Sequence, residues 1–195
     1  QLRALELVRP AAEVRVFART PENRRAFVDE MSRFVSGRLV DSPTLEGALE
    51  GAEMITLATK ASSPVLVAEH LHPGIHVNSV GPASRDRVEV DPGIFGSFDR
   101  VVCDSVSLVL DEAGDAYRAV SDHGFEPEHA DDLATLVSGV APGRKQPEEM
   151  TLFKSVGTGA QDLVVASALL DRAAAADVGI VVGDVNSIKP VAPEG

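Results

Sequence analysis

Val14-Arg15-Val16-Phe17-Ala18-Arg19-Thr20-Pro21 compresses a strand, a turn and a helix start into one short stretch. Val14, Val16 and Phe17 are strand formers. Thr20-Pro21 opens a helix, with the threonine at the N-cap and the proline at the first helical position, where its missing N–H costs nothing. Behind it Ala26, Phe27, Met31 and Phe34 recur at helical spacing, and Gly37 reads as the stop. A strand that feeds straight into a helix is half of a crossover unit, the connection that parallel strands require.

The same alternation continues outward. Leu39-Val40 is a brief strand, and Ser42-Pro43 repeats the helix-opening signal for a short helix ending near Gly51. Residues 54–58 read as a buried strand, 64–70 as a helical turn or two, Pro73-Gly74 as a turn and 75–80 as another strand. Residues 101–103 form a short apolar strand, 105–112 and 131–137 two helices, 150–156 the last strand and 157–176 the longest helix. The fold class is therefore α/β, with a Rossmann-like doubly wound parallel sheet. The expected organisation is a partial Rossmann-like domain over residues 1–180 and a C-terminal tail or docking segment over 181–195, where two prolines fall.

Composition limits the function. The chain has 195 residues, 44% hydrophobic and 25% charged, which is ordinary for a globular protein. Its formal net charge of −12, with no basic cluster beyond Arg24-Arg25 and Arg144-Lys145, argues against nucleic acid and anionic membrane as partners. Cys103 is the single cysteine, so no disulfide framework exists, and the expected location is cytoplasmic. No apolar stretch approaches the roughly 20 residues of a membrane span.

Ligands of open α/β sheets bind beyond the carboxyl ends of the strands. Those positions are Ala18, Arg19 and Thr20; Thr59 and Lys60; Val80 and Gly81; Asp104; and Ser155, Val156 and Gly157. In a dinucleotide fold, the residue that reads the adenosine ribose follows the glycine turn by about 20 residues. Arg19 stands at that reading position, and counting back from it puts the glycine turn just before Gln1. No glycine occurs before Gly37. The first strand and the glycine loop are therefore expected to be missing from this stretch. An arginine in place of a carboxylate pairs with a 2′-phosphate, which points to NADP(H), with NAD(H) as the alternative. The competing reading is a solvated arginine ahead of a helix.

Several stretches together resemble the ornithine cyclodeaminase/mu-crystallin family. They are Val14-Arg-Val-Phe-Ala-Arg-Thr-Pro-Glu-Asn, Thr56-Leu-Ala-Thr-Lys-Ala-Ser-Ser-Pro-Val, and Pro73-Gly-Ile-His-Val-Asn-Ser-Val-Gly with Glu89 and Asp91 downstream. Glu112-Ala-Gly-Asp, residues 139–144, Met150-Thr-Leu-Phe-Lys-Ser-Val-Gly and Gln161-Asp162 complete the ordered set. The resemblance implies a two-domain homodimer that binds a nicotinamide cofactor and transfers hydride to or from a small amino acid or cyclic imine, as a ketimine reductase or amino-acid dehydrogenase does. The cyclodeaminases of the family carry an acid/base aspartate at the position that Ala83 occupies here, within Gly81-Pro82-Ala83. Alanine cannot transfer a proton. Ornithine cyclodeaminase is therefore the second reading, and a non-catalytic cofactor-binding protein or degenerate fragment the third.

Other polar residues carry less. Asp104 is a candidate on the substrate side, or else an acid that stabilises the helix start after it. His70, His72 and His76 flank a Pro-Gly turn without a companion cysteine, so no metal site is expected. Asp111, Glu112 and Asp115 read as a solvated helix end, and His123 and His129 as parts of a polar loop. Cys103 reads as a buried, inert thiol.

Overall fold

The computed structural model describes residues 1–81, 83–180 and 183. The expected tail over 181–195 thus lies outside the described residues apart from Gly183, as does Pro82. Two compact units are present, residues Gln1–Gly157 and Thr158–Gly195.

Within the first unit every assigned strand is parallel to its neighbours. Strands β1 (Glu13–Val16) and β2 (Arg38–Asp41) pair with each other. The other five form one sheet: β3 (Met54–Leu57), β4 (His76–Ser79), β5 (Arg100–Cys103), β6 (Ala130–Asp132) and β7 (Thr151–Lys154). Their order is β3-β4-β7-β5-β6, so the last strand in sequence occupies the middle. Helix α1 (Leu2–Val8) precedes β1, α2 (Pro21–Met31) joins β1 to β2, and α3 (Leu45–Leu49) precedes β3. Helices α4 (Val106–Glu112) and α5 (Gly114–His123) follow β5, and α6 (Leu133–Val137) follows β6. The second unit contains α7 (Gly159–Ala175), capped by Thr158 and Gln161, with none of its residues buried. Among the described residues no helix is long and apolar enough to cross a membrane.

One face of the five-stranded sheet makes the core. Ile55, Val77, Leu152 and Val101 lie in one register row and are all buried. Val109 of α4, Ala113 between α4 and α5, and Ala116 and Ala119 of α5, with Phe95 and Phe125, cover them. The alternate residues, such as Thr56, His76, Asn78 and Phe153, project to the other face and are not buried.

The structure corrects several expected elements. Residues 64–70 contain only a 3-10 turn at Ala68–His70. Helix α2 stops at Met31, short of Gly37. The segment before residue 133 is a strand, β6. Helix α5 was not anticipated, and it opens on Gly114. In the fold that glycine permits close packing: a Cβ there would lie 2.4 Å from the carbonyl oxygen of Arg85 and 2.5 Å from that of Arg87. Asp115 is consequently not a solvated acid. It is 1% exposed at the start of α5.

Candidate nicotinamide-binding site

Because the sheet is parallel, the carboxyl ends of its strands share one edge. A cleft of about 300 Å³ opens there, lined by Ala58, Thr59, Lys60, Val80 and Gly81. Its walls are the segments that leave β3 and β4. Small residues let a flat ligand approach the backbone closely. The Lys60 side chain is exposed, and its carbonyl oxygen accepts a 2.7 Å hydrogen bond from Arg87.

Beneath the cleft lies a buried polar cluster. The last register row of the core face holds Leu57, Ser79, Lys154 and Cys103. Ser79 and Lys154 thus replace apolar side chains at the top of the core. Lys154 Nζ donates to Ser79 Oγ at 2.9 Å and to Asp115 Oδ2 at 2.8 Å. Ser79 Oγ donates onward to Glu89 Oε2 at 2.7 Å. Asp115 Oδ2 also accepts from the backbone N–H groups of Glu89 (3.2 Å) and Val90 (3.3 Å), which closes a ring. Glu89 then reaches up to the cleft: Oε1 accepts from Thr59 N–H at 2.5 Å and Oε2 from Gly81 N–H at 3.0 Å. Gly81 lies so close that a Cβ would fall 2.3–2.5 Å from the Glu89 carboxyl group. Buried charge must be paired or fully hydrogen-bonded; here Lys154 pairs with Asp115, and Glu89 is held by three hydrogen bonds.

A second brace holds the end of β7. Asp104 Oδ2 accepts from Ser155 Oγ (2.8 Å), Val156 N–H (3.1 Å) and Gly157 N–H (2.6 Å), while Oδ1 accepts from Ser105 N–H. The adjacency of β5 and β7 brings these residues together. Both amides face a carboxylate, so an anion is not what this loop would receive. At the β1 end, Ala18 O accepts a 3.1 Å hydrogen bond from Arg24, which also pairs with Asp41 at the end of β2. Arg24 is 6% exposed and fixes the turn that displays the exposed Arg19 and Thr20. Ala83 is exposed.

The sequence-level candidates therefore fall in three groups: Ala18, Arg19 and Thr20 at β1; Thr59, Lys60, Val80 and Gly81 around the cleft; and Asp104 with Ser155, Val156 and Gly157 at β5 and β7. The residues that reasoning from sequence missed are Arg24, Glu89, Asp115 and Lys154. Glu89, Asp115 and Lys154 sat inside the recognised motifs, but only the fold shows what they hold. Residues 1–177 match the description "Ornithine cyclodeaminase/mu-crystallin family".

The chain belongs to this family.

A Delta(1)-pyrroline-2-carboxylate reductase of Bacillus cereus is 34% identical over 179 residues, 90% of this chain and 54% of that protein. Among solved structures, the Delta(1)-pyrroline-2-carboxylate reductase of Thermococcus litoralis in complex with NADH and L-proline superposes with a TM-score of 0.87 at 32% identity. That match covers 93% of this chain and 56% of the other. An archaeal alanine dehydrogenase dimer with bound NAD gives a TM-score of 0.80 at 27% identity, over 92% of this chain and 55% of that one. The chain spans about half the length of the curated relatives it matches. Its fold is that of nicotinamide-binding reductases and dehydrogenases.

Proposed function

We propose that the complete protein is an NAD(P)-dependent reductase of a small cyclic imine, or a dehydrogenase of the corresponding amino acid, and that it works as a homodimer. The observation that carries this reading is the cleft between the ends of β3 and β4, lined by Ala58, Thr59, Lys60, Val80 and Gly81 over a fixed hydrogen-bonded floor. A flat ring fits such a space, and membership of the family supports a nicotinamide as that ring. When bound, the nicotinamide supplies or accepts the hydride.

The chain's own residues divide the binding task. Ala18, Arg19 and Thr20 would meet the adenosine ribose, with Arg19 pairing a 2′-phosphate and so favouring NADP(H) over NAD(H). Thr59, Lys60, Val80 and Gly81 would line the nicotinamide side. The loop of Ser155, Val156 and Gly157, braced by Asp104, would orient the carboxamide and exclude water from that edge. Ala83 offers no proton, which favours hydride transfer over ornithine cyclisation with loss of ammonia.

Titration of the protein with NADPH and NADH, read by nicotinamide fluorescence, tests the reading. Binding of both is expected, with NADPH tighter. Arg19→Asp should weaken NADPH by about tenfold or more, the loss of one charge-assisted pair, and leave NADH nearly unchanged. Reduction of Δ1-pyrroline-2-carboxylate by the bound cofactor would place the substrate class. No response to either cofactor would sink the proposal.

A further inference from the structure

We infer that Glu89 is the positioning residue of the nicotinamide cleft, and that the cluster it forms with Asp115, Lys154 and Ser79 sets a fixed negative charge beneath the cleft which favours the oxidised cofactor. The inference rests on the reading of that cleft as the nicotinamide site.

The geometric half follows from the hydrogen bonds. One carboxylate holds the two walls, through Thr59 N–H and Gly81 N–H. Its own position is fixed from two sides, its backbone by Asp115 and its carboxyl group by Ser79, and Lys154 ties those two together. Glu89 accepts three hydrogen bonds and needs to donate none. Glutamine in its place cannot satisfy the same partners. Turned one way, its NH₂ group meets Thr59 N–H; turned the other, it meets Gly81 N–H. Ser79 can rotate its hydroxyl to adapt, but a backbone N–H cannot. One wall of the cleft therefore loses its anchor in either orientation.

The electrostatic half follows from the charge count. Two carboxylates, Glu89 and Asp115, are set against one ammonium, Lys154, all at or below 2% exposure. Poor solvation leaves the excess negative charge weakly screened. The oxidised nicotinamide ring is cationic and the reduced ring neutral, so the two forms respond differently to that charge.

The test uses the protein with Glu89→Gln and measures the dissociation constants of NADP+ and NADPH separately, with amide hydrogen exchange on the cofactor-free protein. The expected result is that both constants rise, NADP+ by several-fold more than NADPH, and that Thr59 or Gly81 exchanges faster. Equal weakening of both forms would overturn the electrostatic half. Unchanged constants in a folded variant would overturn the whole inference. If wild type binds neither cofactor, the site reading itself fails, a separable result. Should Glu89→Gln not fold, Ser79→Ala serves instead. It loosens the anchor but keeps the carboxylate, so both constants should rise by the same factor; no rise overturns the inference.

Discussion

At the scale of single residues, Cys103 shows how position overrides residue type. It ends β5 in the same register row as Lys154 and is 1% exposed. Burial, reinforced by the carboxylates of Asp104 and Asp132, pushes its thiol up to about 12. The thiolate is the reactive species, so at pH 8 only a fraction on the order of 10⁻⁴ would be available. Native protein at pH 8 should therefore resist iodoacetamide, while urea-unfolded protein should be alkylated at the rate of a free thiol; rapid native labelling would contradict this. The burial of Cys103 was legible from its apolar strand. The burial of Asp115 was not. An acid beside Asp111 and Glu112 looks solvated in sequence, and only the packing of Gly114 against the carbonyl groups of Arg85 and Arg87 turns it inward. The burial of Lys154 was hidden for the same reason: a strand lysine becomes a core residue only once its neighbours are known.

Among the elements, β4 and β7 meet on the open face of the sheet as well as in the core. His76 Nδ1 lies 2.7 Å from Thr151 Oγ1, and Nε2 lies 3.2 Å from Asn78 Oδ1. Partial burial lowers the pKa of His76 below its ordinary 6.5; Arg144 and Arg9 act the same way, and the Asn78 bond opposes them. The unfolded chain then binds this proton more readily than the folded one. Its contribution to stability is present above about pH 6.5 and is lost as the pH falls from there toward the folded value. Urea melts between pH 7.5 and 5.5 should show wild type losing stability more steeply than His76→Gln, and parallel slopes would remove His76 as the cause. Most elements announced themselves through caps and periodicity, as Thr20-Pro21 did for α2. Those that did not had a local reason. The strand residues of β6 are Ala-Asp-Asp, which carry no strand signal and are placed by pairing with β5. Helix α5 opens on a glycine, the residue that ordinarily ends a helix.

For the whole molecule, the parallel α/β class could be read from alternation, but the strand order could not. The placement of β7 between β4 and β5 depends on pairings that no local pattern encodes, yet it creates both the Lys154 cluster and the Asp104 brace. Among the described residues, the buried strand side chains lie on one face of the sheet. Parallel sheets usually bury both faces, and their strands then read as continuous apolar runs. Here His76-Val77-Asn78-Ser79 alternates, and so do the environments of its side chains. Stability should be correspondingly unequal across the sheet. Leu152 sits in the central strand at 1% exposure, against the buried row of Val77 and Val101. Leu152→Ala removes that contact and leaves a cavity, so it should cost about 2–5 kcal/mol. Thr56→Val keeps a branched side chain on the opposite, exposed side of β3 and should stay within about 0.5 kcal/mol of wild type. Urea denaturation with a common m-value measures both. A similar cost for the two substitutions would mean that the open face is covered in solution, and that the core is a sandwich on both sides of the sheet.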